Sequence, residues 1–281
     1  MEHGTALSKH TWPSNVFVLI PAYNSAQLLA DYLPDLLETV LAAHVCVVDD
    51  GSADETTVVC REHEVCCLVN TTNMGKGAAL KRGFEFLRNR GAEWILTMDA
   101  DGQHSIQDIP GFIATMKLYP DAGLIIGARR MHWSSMPVAR IISNRLTSLI
   151  LSLFTGCRIY DSQSGYRLYS RRLLDSVSLE YSRFEMESEI ILKACRSGFD
   201  IRFVSVQTLY FHTHSHISHI IDTVRWIKAV LNIRRKLKRA SSMERVGGGG
   251  LEGGAVHGID GAQVDRCPTS GFDGKRERTR F

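Results

Sequence analysis

The first half of the chain repeats one pattern: a short apolar run, a polar turn, then a longer stretch with helical spacing. The runs are Val16–Ile20, Val45–Val48, Val65–Val69, Trp94–Met98 and Leu124–Ile126. Between them lie helical patterns over Ala26–Leu41, Thr56–His63, Gly77–Asn89 and Ser105–Leu118. Runs this short, apolar at successive positions, suit strands buried on both faces. Strands separated by single helices need crossover connections, and these build a mostly parallel sheet between two helical layers. Such α/β sheets bind ligands beyond the carboxyl ends of their strands. The loops after Ile20, Val48, Met98 and Ile126 are therefore where chemistry is expected. Asp54 predicts an N-cap for the second helix, and Ser105 with Asp108 predicts a capping box for the fourth.

The second half is less regular. Val138–Phe154 and Glu185–Arg196 read as helices, Ser164–Tyr169 and Ile201–Leu209 as strands. His216–Lys238 carries Ile217, Ile220, Ile221, Val224, Ile227 and Leu231 on one helical face. Val246–Phe281 has ten Gly and no periodic apolar signal, which predicts disorder.

The 281 residues, 44% of them hydrophobic, suffice for one domain with appendages. Leu146–Cys157, the longest suitable uncharged stretch, has 12 residues, short of the ~18–20 that a membrane span needs. The first fifteen residues lack the apolar core of a signal peptide, so a cytosolic chain is expected. The seven cysteines are odd in number and lack paired metal-ligand spacing, which fits a reducing compartment. Of the two readings of adjacent Cys66 and Cys67, a redox pair or two strand residues, the second fits the pattern better.

Charge is uneven. Arg225–Arg245 holds eight Lys/Arg and one Glu, a net +7, while Val246–Phe281 is neutral. Subtracting these from the overall +3 leaves Met1–Val224 at −4. The basic segment asks for an anionic partner. Its apolar stripe describes a helix lying on an anionic membrane. With Trp226 as its sole aromatic, it does not read as a nucleic-acid site.

Each strand-end loop carries pointed chemistry: Pro21-Ala22-Tyr23-Asn24, Asp49-Asp50-Gly51-Ser52, Asp99-Ala100-Asp101-Gly102-Gln103-His104 and Gly127-Ala128-Arg129. Two carboxylates one residue apart, on a turn leaving a buried strand, can face one hard cation, Mg²⁺ or Mn²⁺, that keeps positions open for diphosphate oxygens. The plain alternative is a polar turn with an Asx cap. Asn73-Met74-Gly75-Lys76-Gly77 reads either as a phosphate cradle or as a Gly-rich helix entry with a solvated lysine.

These motifs, with Ser164-Gly165-Tyr166-Arg167-Leu168-Tyr169 and Phe184-Glu185-Met186-Glu187, stand in an order that resembles the family 2 glycosyltransferases. Within them it resembles the branch of dolichol-phosphate mannose synthase and bacterial polyprenyl-phosphate glycosyltransferases. The resemblance spans about Val16–Trp226. It implies the GT-A fold, a Rossmann-like nucleotide-sugar-binding architecture, a UDP- or GDP-sugar donor and inversion at the anomeric carbon. It implies that Pro21, Tyr23, Val48 and Asp50 hold the nucleoside, and that Asp99, Ala100, Asp101 and Gln103 meet the metal and diphosphate. Asp99, Asp101 and Gln103 would be the metal set, and Arg129 a phosphate contact. Arg140, Ser143 and His216 would meet the phosphate of a polyprenyl acceptor. The implied division is a 1–15 extension, a 16–212 catalytic domain, a 213–245 basic amphipathic helix and a 246–281 tail. It implies a peripheral enzyme at the cytoplasmic face of the membrane.

Departures from the family pattern matter. Ser25 stands where a glutamate usually follows Pro-x-Tyr-Asn. Tyr210 and His216 stand where mannose synthases carry an arginine and a lysine, whereas Ser215-His216-Ile217 matches a step of bacterial relatives. His212, His214, His216 and His219 invite a zinc reading, but no thiolate or carboxylate stands beside them, and a surface cluster fits better. A lipid phosphate is already anionic near pH 7 and needs no base. A sugar-hydroxyl acceptor, as in cell-surface polysaccharide synthesis, would call for Glu187 or Asp161 as base. Two rivals fit less well. A sugar-nucleotidyltransferase would need a Gly-rich basic loop after the first strand. A non-enzymatic binder would be expected to have lost a carboxylate of the Asp99/Asp101 pair.

Overall fold

The computed structural model describes residues 9–129, 138–207 and 226–237. Seven strands form one sheet: β1 (Val16–Ala22), β2 (Val45–Asp49), β3 (Cys66–Val69), β4 (Trp94–Thr97), β5 (Ala122–Arg129), β6 (Arg167–Ser170) and β7 (Asp200–Val206). Their order is β3-β2-β1-β4-β6-β5-β7. All neighbours are parallel except those of β6, which runs antiparallel between β4 and β5. The helices are α1 (Ala26–Thr39), α2 (Thr56–Glu62), α3 (Lys76–Asn89), α4 (Ile109–Leu118), α5 (Val138–Thr155), α6 (Arg171–Ser176) and α7 (Glu185–Arg196). Residues 226–237 are also helical and are called α8.

Alternation along β1 explains the two layers. Val16, Val18 and Ile20 enter one core with Leu29, Leu33 and Leu36 of α1, Val59 and Cys60 of α2, and Phe112 and Ile113 of α4. Phe17 and Leu19 enter the other with Leu80, Phe84 and Leu87 of α3, Ile190 and Ile191 of α7, and Val230 and Ile233 of α8. Successive strand side chains point to opposite faces, so a run apolar at every position fills both cores at once. Ahead of β1, Trp12 is buried in the first core, and its indole N–H donates to the Val16 carbonyl at 2.8 Å.

Local signals mostly became local structure. The N-cap of α2 is Glu55 rather than Asp54, but the Asp54 carboxylate accepts from Thr56 N at 3.1 Å and from Ala26 N at 2.9 Å, tying the starts of α1 and α2 together. The expected capping box is only half made. Ser105 Oγ accepts from Gln107 N at 3.3 Å, but residues 106–108 form a 3₁₀ turn and the α-helix starts at Ile109, with Pro110 in its first turn. Asp108 instead accepts from Gln207 N at 2.8 Å. The strand expected over Ser164–Tyr169 begins at Arg167, because Ser164 and Gly165 spend their carbonyls on Arg167 Nε and Thr97 Oγ1. Among the described residues no helix is long and apolar enough to cross a membrane. The boundaries drawn at 212 and 245, the glycine-rich tail and the four clustered histidines lie outside the described residues.

Candidate active site

Parallel strands bring their carboxyl ends to one edge, and the amino ends of α3 and α7 meet there. Pro21 and Val48 are register partners, as are Ala22 and Asp49. Tyr23 is half exposed beside them, whereas the Val48 side chain is sealed in the second core. Asp50 is buried, and its carboxylate accepts from Asn70 Nδ2 at 2.7 Å, Met74 N at 3.0 Å and Gly75 N at 2.7 Å. It therefore holds the loop that leads into α3.

That loop delivers Lys76. Gly75 has a φ of 95°, which disfavours any side chain, and a Cβ at Gly77 would stand 2.7 Å from the Arg183 carbonyl oxygen. Ala78 N donates to the Ser182 carbonyl at 2.9 Å. The start of α3 is thus clamped to the segment before α7, and Lys76 projects between two acids. Its Nζ lies 2.6 Å from Asp99 Oδ1 and 2.9 Å from Glu187 Oε1. Burial works against the ammonium, but the two carboxylates outweigh it and raise the Lys76 pKa. Burial likewise works against the Asp99 carboxylate, and Lys76 more than offsets it, so Asp99 titrates below its usual range. Gly165 makes room for this acid, since a Cβ there would fall 2.4 Å from Asp99 Oδ2.

His104 locks the backbone of the same loop. Its Nδ1 accepts from Asp99 N at 3.0 Å, which puts the proton of the neutral ring on Nε2. Burial lowers its pKa to about 4, and the ring stacks on Tyr166 at 4.7 Å. Asp101, one residue beyond Ala100, is half-buried and accepts from Gln103 N at 3.0 Å. Asp99 and Asp101 thus serve different neighbours. No group of three or more His, Cys, Asp or Glu side chains gathers as a metal-ligand set among the described residues. Mg²⁺ does not require one. It keeps several waters and binds through one or two carboxylates plus substrate phosphates, so the hard oxygens of Asp99, Asp101 and the Gln103 amide fit such an ion.

A second ion-paired centre lies at the end of β5. Arg129 grips Asp161 through Nε at 2.7 Å and Nη2 at 3.0 Å. Asn144 Nδ2 and Gln163 N complete the Asp161 carboxylate at 3.0 and 3.1 Å. Burial pushes this carboxyl up, but Arg129 outweighs it and holds Asp161 below the usual range. Ser143 Oγ, at the same place on α5, accepts from Gln163 Nε2 at 3.5 Å. Arg140 belongs to the first turn of α5, and His216 lies outside the described residues. Arg167 is wholly buried and donates to the carbonyls of Ser162, Ser164 and Glu187.

The structure thus gathers Pro21, Tyr23, Asp50, Asp99, Ala100, Asp101, Gln103, Arg129 and Glu187 at one edge. Sequence reasoning overlooked Lys76 as an ion-pair bridge, His104 as the acceptor for Asp99 N, and Arg167 as a buried cation. For Lys76 the signal was present: glycines on both sides mean close backbone approach, which a solvated lysine does not need.

Residues 17–178, more than half of the chain, match the description "Glycosyl transferase family 2". The chain belongs to this family. The glycosyltransferase is 28% identical over 217 residues to a UDP-N-acetylglucosamine–dolichyl-phosphate N-acetylglucosaminyltransferase of Methanococcus voltae, covering 69% of this chain and 86% of that one. It is 30% identical over 194 residues to an undecaprenyl-phosphate mannosyltransferase of Micrococcus luteus, covering 65% and 79%. Its fold matches glucosyl-3-phosphoglycerate synthase from Mycobacterium tuberculosis, solved with Mn²⁺, UDP and phosphoglyceric acid. That match has a TM-score of 0.65 at 17% identity, over 83% of this chain and 84% of that one. The glycosyltransferase has the GT-A fold, as the motif order implied.

Proposed function

We propose that this glycosyltransferase moves a sugar, with inversion, from a UDP- or GDP-sugar to a polyprenyl phosphate at the cytoplasmic face of a membrane. The observation that carries the reading is the condition of the two carboxylates a hydroxyl acceptor would use as base. Glu187 is paired with Lys76, and Asp161 is forked by Arg129. The Asp161 carboxylate, held below its usual range by Arg129, is a poor base, and the Glu187 carboxylate is already engaged by the Lys76 ammonium. A phosphate monoester is already anionic and needs only positioning. The two relatives named above carry polyprenyl phosphates in their names but differ in sugar, so the acceptor is the shared part of the likeness.

In this reading an acceptor phosphate oxygen bonds to the anomeric carbon as the bond from that carbon to the donor diphosphate breaks. The nucleoside diphosphate leaves with the electron pair. Pro21, Tyr23 and the Val48 backbone line the nucleoside end, and Asp50 shapes it by holding the 70–75 loop. Asp99, Ala100, Asp101 and Gln103 face the diphosphate. Asp99, Asp101 and Gln103 would hold Mg²⁺ or Mn²⁺, which supplies charge neutralisation for the leaving group. Arg129 adds fixed positive charge. Arg140, Ser143 and His216 meet the acceptor phosphate. Lys236 is paired with Glu180 and Arg234 lies over the Phe154 ring, which leaves Arg235, Lys238 and Arg239 of the basic segment to meet anionic headgroups.

The test is a panel of UDP-, GDP- and dTDP-sugars with polyprenyl phosphate in anionic vesicles, set against a soluble sugar acceptor. One donor should support cation-dependent transfer to the lipid phosphate. Asp101→Asn should lower that rate by about 10²–10³ with an unchanged melting temperature. Faster transfer to the sugar hydroxyl than to the lipid phosphate would overturn the proposal.

A further inference from the structure

The uncharged stretch Leu146–Cys157 is too short to span a membrane, and nothing in the proposed chemistry uses it. It makes up most of α5, and α5 is built the wrong way round for a helix facing water. Its inner side carries polar side chains: Asn144, Thr147 and Ser148 are 1%, 3% and 4% exposed. Each finds its partner in the loop that follows the helix. Asn144 Nδ2 donates to Asp161 at 3.0 Å, Thr147 Oγ1 lies 2.9 Å from Ser162 Oγ, and Ser148 Oγ accepts from Ser162 N at 3.0 Å. Of the four leucines in α5, only Leu151 is sealed in the second core. Leu146, Leu149 and Leu153 are 44%, 56% and 71% exposed. Spaced i, i+3 and i+7, they form one ridge along the outer side. Single exposed leucines are ordinary on a protein surface. An aligned row of three, on a helix that turns its amide and hydroxyls inward, marks a face made for an apolar medium.

We infer that the Leu146–Leu149–Leu153 ridge is a membrane-docking face that enters the acyl region of an anionic leaflet. The charge around it selects this occupant. Val138–Tyr160 contains three arginines, Arg140, Arg145 and Arg158, and no Asp or Glu. Arg145 immediately precedes the ridge, and Arg158 follows the helix with its guanidinium over the Tyr160 ring at 4.9 Å. Tyr160 is itself half exposed. Next to Leu153, the Phe154 ring carries Arg234 of α8 at 4.1 Å. Leucines rimmed by guanidinium groups and an aromatic ring match the boundary between acyl chains and anionic headgroups. A second copy laid ridge to ridge would set like charge against like charge. The inference rests on the membrane part of the proposed function and names the face that makes contact. That face is on α5 because α8 spends Val230 and Ile233 in the second core, so these two cannot enter lipid. Ser143 lies one turn ahead of the ridge on the same helix, so seating the ridge brings lipid headgroups to the edge of the site.

The experiment is co-sedimentation of the full chain with vesicles of phosphatidylglycerol and phosphatidylcholine, without donor or acceptor. The triple variant Leu146→Ser, Leu149→Ser, Leu153→Ser should bind at least about tenfold more weakly than the parent and melt at the same temperature. The deficit should persist at about 0.5 M salt, where headgroup attraction is screened and apolar insertion is not. Leu118→Ser, which removes an equally exposed leucine from α4, should bind as the parent does. Equal vesicle binding by parent and triple variant would overturn the inference. A melting temperature several degrees lower in the triple variant would overturn it too, because the chain itself would then cover the ridge. So would a parent that ignores vesicles and forms a dimer that the triple variant loses. Transfer assays separate this result from the choice of acceptor. A parent that docks through the ridge yet glycosylates only a sugar hydroxyl leaves the docking face standing and removes the proposed acceptor. A parent that glycosylates the lipid phosphate while the triple variant docks equally well does the reverse.

Discussion

The two ion-paired centres share one edge of the sheet but differ in construction. At Lys76, one flexible ammonium joins acids from two distant parts of the chain, Asp99 after β4 and Glu187 in α7. At Asp161, one planar guanidinium saturates a single carboxylate, and an amide and a backbone N–H finish the shell. A fork fixes orientation, whereas a point charge fixes only position. The Lys76 centre therefore depends on one side chain for its cohesion, and the Asp161 centre is shared among several. Both halves of the site need a held carboxylate, but only the first half risks two unpaired acids when one residue changes.

Lys76→Met attacks that dependence and carries the largest expected effect. It strands Asp99 and Glu187, which should cost about 3 kcal/mol of stability at pH 7 and lower transfer at least about a hundredfold. Asp99 titrates below its unfolded range, so the pairing stabilises the parent above about pH 4 and is lost as pH falls through the folded pKa. The gap between parent and variant unfolding curves should therefore narrow as pH falls below the usual carboxylate range. An equal gap at pH 3 and pH 7 would show that charge pairing is not its source.

Asp161→Asn keeps the shape and most acceptors but removes the charge. A loss of about 1.5–2 kcal/mol is expected, with roughly tenfold slower transfer as Arg129 loses its fork. A larger penalty than that of Lys76→Met in urea unfolding would reverse the ranking of the two centres. His104→Asn sharpens the first centre alone. The folded pKa of about 4 lies below the unfolded ~6.5, so the neutral ring stabilises the fold above pH 6.5, and that contribution fades as pH falls towards 4. The parent melting temperature should drop more than that of the variant between pH 7 and pH 5. The smallest effect is reserved for an exposed pair of equal length, Arg172 to Asp121 at 2.7 Å. Arg172→Ala should stay within about 0.5 kcal/mol, and a greater loss would mean that distance rather than burial sets these energies.

The first half of the fold was legible because its signals are local. Apolar runs mark β1, β2 and β4, and the helices between them are long enough to show their period. Arg167–Ser170 is a different case. Four residues carry little periodicity, and their antiparallel place between β4 and β5 depends on partners more than 40 residues away in sequence. The six-residue α6 escaped for the same reason. At the site, the motif order pointed to loops that the fold brings to one edge of the sheet, but it gave no hint that Lys76 would reach Glu187, because that contact spans 111 positions. Adjacent Cys66 and Cys67 were readable as strand residues, yet the two cores they face on opposite sides of the sheet emerge only when the helices are in place.

The placement of β6 also sets a timetable. β4 and β5 do not touch as neighbours; the strand that joins them is made from residues 167–170, after both. A nascent chain that has left the ribosome only as far as residue 160 owns β1 to β5 but cannot close the middle of its sheet. Two unsatisfied strand edges, each with free N–H and C=O groups, wait for the wedge between them. During that interval the half-built protein is exposed to pairing with other chains, and arrest of synthesis just before residue 167 should leave a species that associates rather than one that folds.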